Sequence, residues 1–327
     1  MFSPMWGNRL GWLISAILVL AMAGVIVTTC IVTSRRTEPT EFSRDPANLA
    51  AIQLPIDPHT LIPEPARDQD AGDLYWQAVF DYRAHPEDYD RQSVGFTLQT
   101  ATELVGVKVA TDAADHRRAG IFTHRVDAAV GYGATPALNA LQQIGALLAR
   151  IGTEYADKHQ YADAKRYLRA EFLLGLRLYD ERMTRQQLST AMGMMAQAAT
   201  ILSQIAVYQD DKPQAIRLTD YVKAQRVYGA ERIEPIARVI TSVDPSVHPK
   251  HVGDVFVIAK QSAERIWRVE ATLKLGMYKY NTNTAGDRRA AIREVRQLMT
   301  DPDPAVAAAA RAARELTLES YRTLGSK

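Results

Sequence analysis

Two clusters of histidine and aspartate are the side chains whose types and spacing come nearest to a reactive or metal-binding set. His248 and His251, in HPKH, lie near Asp244 and Asp254. Imidazole and carboxylate together are a donor set for zinc and related cations. A helix-borne zinc pair needs both histidines on one face, and Pro249 keeps these two from sharing one. The pair is therefore a candidate metal site set against a plainer alternative, a solvated loop. The second cluster, DAADHRRAGIFTHRVD, offers Asp112, Asp115, His116, His124 and Asp127. Their irregular spacing fits polar residues around a turn better than an active site.

Other chemistries have less to stand on. The chain has no Gly-x-Ser-x-Gly elbow, no Gly-x-x-x-x-Gly-Lys phosphate loop and no His-Glu-x-x-His. Arg177, Arg182 and Arg185, with Asp180 and Glu181, read as a solvated helix face rather than a phosphate site. Net charge is +2 with both signs interspersed, so no attraction to nucleic acid is built in. The single cysteine, Cys30, leaves the rest of the chain without a disulfide or a thiolate metal site. No cofactor is implied.

Helices must position whatever site there is. Leu74, Tyr75, Ala78, Val79 and Tyr82 recur at three and four, with Asp70 or Asp73 as cap and Pro86 as stop. Residues 90–134 are less regular; VGFTLQTATELVGVKVA has enough Val, Thr and Phe for a short strand. Thr135-Pro136 reads as an N-cap followed by proline in the first turn of a long helix. Prolines 235, 245 and 249 interrupt the helical pattern. Ile266, Val269, Leu273 and Met277 then mark one more helix, and Ile292, Val295 and Met299 another. In the alanine-rich DPDPAVAAAARAAREL, Asp303 caps a helix in which Val306, Ala309, Ala310, Ala313 and Leu316 form one apolar stripe. The tyrosines 155, 161, 167 and 179 and the methionines 192, 194 and 195 fall at core spacing.

Two stretches resemble known repeats. In LARIGTEYADKHQYADAKRYL, Leu148, Ile151, Gly152 and Tyr155 precede a short turn, and Ala164 and Leu168 follow it. This resembles a tetratricopeptide repeat, departing from it at Glu171 and Leu176. Gly152 and Ala164 have a physical role, because two helices approach closely only where side chains are short. A second copy follows 51 residues later at Leu202, Ser203, Ala206 and Ala215, so the second helix of the first unit must run to about Met183. Residues 262–322, with their Asp-Pro turn between helices, resemble a HEAT repeat.

The N-terminal end reads differently. Residues 10–32 carry no charge and, as a helix of about 1.5 Å per residue, would cross a hydrocarbon core of roughly 30 Å. A retained membrane anchor is expected; the alternatives are a cleaved signal peptide and a lipoprotein anchored at Cys30. Six prolines between 39 and 65 make a spacer, which favours a domain held off the outer face. IQLPIDPHTLIP within it is apolar enough to lie along the domain surface. The uncharged run 188–209 holds glutamines that are costly in lipid, and is expected to be a buried helix instead.

The expected fold is thus all-α: a right-handed α-solenoid-like array of helical hairpins, preceded by one transmembrane helix and a Pro-rich linker. The expected division is a tail (1–9), the anchor (10–32), the linker (33–69), an N-terminal helical region (70–135), TPR-like hairpins (136–230) and HEAT-like helices (231–327). The resemblance implies a non-catalytic, membrane-tethered scaffold for a protein or peptide partner. Its binding face would be lined by Thr153 and Asp157 in one unit and Gln197, Thr200, Gln204 and Tyr208 in the other. The alternative is an enzyme or metal-dependent binder using residues 90–134 or the His248/His251 loop.

Overall fold

The structure, a computed structural model, describes residues 50–63, 65–89, 97–132, 135–242, 250–281 and 285–325. The run 10–32, Cys30, His248 and the side chain of His251 lie outside the described residues. Pro46–Lys327 form one unit by contact density, and its described part is helical almost throughout. Helices α1 (Gly72–Ala84), α2 (Leu98–Glu103) and α3 (Val105–Ala113) precede four long ones. These are α4 (Pro136–Asp157), α5 (Tyr161–Glu181), α6 (Arg185–Tyr208) and α7 (Lys212–Tyr228). A π-helical turn, Gly229–Ile233, leads into α8 (Glu234–Ser242). Then come α9 (Lys250–Gln261), α10 (Arg265–Asn281), α11 (Ala285–Leu298), α12 (Pro304–Glu315) and α13 (Leu318–Gly325).

Local sequence sets the helix starts. Side-chain oxygens of Thr97, Thr135, Thr184, Asp211 and Asp303 accept from N–H groups two or three residues on, at 2.9–3.3 Å. Each satisfies a donor that the first turn leaves unpaired. The Thr97 cap explains one departure from expectation. Thr97 and Thr100 form a capping box at the start of α2, and Ala101 there and Val107 and Ala110 on α3 are buried, so residues 98–103 and 105–113 are helical and not a strand, with a break at Leu104. The described strands lie elsewhere: β1 (Arg67–Asp70) and β2 (His116–Arg118) pair in parallel, with Arg67 opposite His116. Residues 234–242 are also helical where prolines predict a break: Pro235 follows directly on the π-helical turn Gly229–Ile233, with helical backbone at Glu234, and a π-turn is a local irregularity of the helical hydrogen-bond ladder.

The four long helices pack each against the next. The α4–α5 and α6–α7 turns are the same turn, 51 residues apart. His159 and Asp210 both have φ 58°. Gln160 N–H donates to Tyr155 O, and Asp211 N–H to Ala206 O, at 2.9 and 2.8 Å. His159 N–H donates to Ala156 O, and Asp210 N–H to Val207 O. This is the Schellman closure, here with His and Asp in the left-handed position that glycine usually holds. Gly152 shows why the first hairpin needs a small residue: a Cβ there would stand 2.6 Å from Leu168 Cγ. The apolar run within α6 is an internal helix, with Leu188, Ala191, Met194, Met195, Ala198 and Ala199 buried between α5 and α7.

The C-terminal helices are joined by close approach and charge. The alanine-rich α12 is buried at Ala305 through Ala310 and at Ala313, more than the single stripe expected, because α10, α11 and the Val126–Ala128 turn all pack on it. A Cβ on Gly276 of α10 would lie 2.7 Å from Ala313 Cβ and 2.8 Å from its Cα. The two aspartates of DPDP reach back to α10. Arg265 Nε donates to Asp303 at 2.8 Å, and Arg268, one turn on, pairs with Asp301.

One residue in this core is out of place. Glu171 on α5 is fully buried, and neither carboxylate oxygen has a hydrogen-bond partner. Burial pushes its carboxyl from 4.5 up to about 9, so it is protonated at neutral pH. A raised folded-state pKa in an acid means stability is full below the unfolded value and falls as pH rises through it toward 9. Glu171→Gln is expected to remove this pH dependence, so that its stability relative to wild type rises as pH increases from 5 to 8. Urea unfolding of both proteins at four pH values checks this, and a difference independent of pH would contradict it. Gly276→Ala should cost about 1–3 kcal/mol by overpacking the α10–α12 crossing, read as a lowered denaturation midpoint at unchanged m.

Candidate functional site

The face implied by the repeat resemblance is open on α6. Gln197, Thr200, Gln204 and Tyr208 are exposed, spaced three or four apart along one side of the helix. Tyr208 is 74% exposed, stacks on Tyr161 at 6.3 Å, and has the 64%-exposed Val207 beside it. On α4, Asp157 is exposed, while Thr153 is half-buried with its hydroxyl donated to Ala149 O at 2.8 Å. Helices α4 and α6 touch, so the two halves of the face belong to neighbouring elements.

The second histidine–aspartate cluster is distributed among separate pairs. Asp112 accepts from Arg67, Asp115 from Arg169 and Asp127 from Arg311, at 2.8–2.9 Å. His116 is buried, with Nδ1 3.2 Å from Gln69 O. Among the described residues no group of three His, Cys, Asp or Glu is placed to hold a metal. The α5 charges depart from the expected solvated face. Arg177 and Glu181 are both 9% exposed. Arg177 donates to His116 O, and Glu181 accepts from Phe122 N and the Thr123 hydroxyl. These partners lie about sixty residues away, beyond what helix spacing alone reveals. Met194, Met195, Tyr167 and Tyr179 are core as expected, while Met192, Tyr155 and Tyr161 are half-buried.

A cavity of about 560 Å³ opens at the start of α6, lined by Thr184, Arg185, Leu188, Met192, the π-turn residues Gly229 and Ile233, and Glu270. Glu270 accepts from Arg185 N at 3.0 Å, placing a carboxylate at the positive end of a long helix. Burial raises its carboxyl, and the Arg185 N–H and guanidinium pull it back down. The wall thus combines a partly desolvated acid with an apolar side formed by Leu188, Met192 and Ile233.

A further set of polar contacts joins the Pro-rich segment to the helices, where the sequence signalled only an apolar linker able to lie on the surface. Residues 50–63 dock along α5, α7 and the start of α10. Ile52, Leu54, Pro58 and Leu61 are buried. Ile52 N–H donates to Glu264 Oε2 at 2.8 Å and Gln53 N–H to the Tyr228 hydroxyl at 3.1 Å. Gln214 donates to Leu61 O at 3.1 Å, and Arg217 donates to Thr60 O. His59 stands 3.0 Å from Asp180, and that bond lifts the imidazole above its ordinary range against the opposing effect of burial. Glu264, 3% exposed, also holds Arg182 Nε at 3.2 Å.

No protein-family model, curated protein or solved structure matches the chain. Ion pairing in the second cluster sets up a direct test of the metal alternative. Chelation of the purified protein is expected to leave its melting temperature unchanged, with less than about 0.1 equivalent of any transition metal by mass spectrometry. Structural zinc, worth about 10–16 kcal/mol of folding free energy in finger peptides, would announce itself by a large shift.

Proposed function

We propose that this protein is a membrane-tethered helical-repeat scaffold that binds a protein or peptide partner without catalysing a reaction. The carrying observation is the pair of hairpins closed by one turn at a 51-residue interval. Units built alike and packed in series bury each other's faces and leave a side free for a partner. In this reading α4–α7 are TPR-like hairpins and the helices from α10 onward HEAT-like ones, in a right-handed α-solenoid-like array. The partner face is Thr153, Asp157, Gln197, Thr200, Gln204 and Tyr208. Its exposed Tyr208 is the kind of large amphipathic side chain that anchors interfaces. Residues 10–32 hold the chain in the bilayer, with the body on the extracytoplasmic side.

The experiment is photo-crosslinking from position 197 of the full chain in intact membranes. Gln204→Ala/Tyr208→Ala should lower recovery of the crosslinked partner by about tenfold or more, a loss typical of removing an interfacial hot spot. The α6 helix itself should keep its stability, since both side chains are solvent-facing. Equal recovery from both proteins would remove the α6 face from the proposal. Resistance to alkaline extraction and protease accessibility of residues 33–49 in sealed vesicles read the anchor and its orientation separately.

A further inference from the structure

We propose that the groove along α5, α7 and the start of α10 is a binding site for extended peptides, and that residues 50–63 are its resident, displaceable occupant. The competing ligand is an extended partner segment with two apolar anchors two residues apart.

The docked segment has the pattern of a bound peptide. Around Ile52 and Leu54 burial alternates strictly, with Ala51, Gln53 and Pro55 exposed. In an extended chain that period of two puts both anchors on one face. Glu264 engages the backbone of the extended part at Ile52 N–H, while Arg217 and Gln214 engage the carbonyls of Thr60 and Leu61 at the end of the Pro58–Thr60 3-10 turn that follows it. Backbone groups are common to every peptide, so these contacts give affinity without dictating sequence, and the two anchor positions supply selectivity.

Glu264 has a partner besides Ile52: Arg182 donates to it at 3.2 Å, and also to Tyr179 O at 3.0 Å and to Ile52 O at 3.4 Å. A buried carboxylate left unpaired would be costly, so this second partner matters. Beyond Ala51 the groove runs into a further cavity of about 280 Å³, lined by Glu264, Arg265, Arg268 and Asp303.

Covalent attachment gives the resident segment an effective concentration on the order of millimolar, so a competitor meets a groove that is free only part of the time. The test uses the full chain carrying Ile52→Asp/Leu54→Asp, which unseats the segment and spares every groove residue, and a fluorescent peptide of residues 47–63. The variant should bind the peptide saturably, and wild type at least about tenfold more weakly. A peptide with both anchors changed to Asp should bind neither. Equal binding to both proteins, or none to a variant with wild-type circular dichroism, would overturn the proposal. Should the variant misfold, hydrogen exchange on wild type decides: excess peptide should speed exchange at Ile52 and Gln53, and unchanged rates count against displacement. Gln204 and Tyr208 contribute none of these contacts, so the outcome is independent of the α6 crosslinking.

Discussion

A carboxylate at 3% exposure must have partners, and those of Glu264 come from separate parts of the chain. Arg182 reaches it from the end of α5, and the Ile52 amide from the N-terminal segment. Glu264 itself stands immediately before α10. Immediately beyond it, Arg265 and Arg268 hold Asp303 and Asp301, and Arg265 also donates to Glu181 O at 3.2 Å. Charges on three segments are thereby satisfied by one another, with the Ile52 amide and the Glu181 carbonyl completing the set. Groups that share partners in this way act as a unit, and their individual contributions do not add.

The helices could not meet at this hub without small residues elsewhere. Gly152 lets α4 lie against Leu168, Gly175 brings α5 onto α6 with its missing Cβ 2.9 Å from Ala191 O, and Gly276 admits α12. Each crossing exchanges side-chain volume for backbone proximity. The alanines of α12 do the same on the facing helix, and they keep strong helical propensity while doing so. Its burial on several sides follows from having no side chain long enough to hold neighbours away.

How much of this could be read from residues alone depends on range. Thr135-Pro136 and Asp303-Pro304 announce their helices, because a cap bonds a group two or three residues away. Gly152, Ala164 and their counterparts 51 positions on announce a hairpin, because close crossing demands small side chains. Within VGFTLQTATELVGVKVA, where the composition allows a short strand, Thr97 and Thr100 cap each other and start a helix, and a second helix follows from Val105. Arg177 and Glu181 looked like a wet surface because their partners, His116 and Phe122, come from a different element. For Glu264 nothing local is visible at all: its meaning comes from Arg182 and Ile52, 82 and 212 residues away. The candidate binding face on α6 was legible as geometry, whereas the docked segment was legible only as an apolar linker.

The order of contacts along residues 50–63 has a mechanical side. Tension applied from the N-terminal direction falls first on Ile52, and only after that contact yields does it reach Leu54, Thr60 and Leu61. Bonds loaded one after another peel at low force, whereas bonds loaded together shear at high force. The segment should therefore come away like a zip from the Glu264 end, and a steady pull would loosen it well before the helices beneath feel any load.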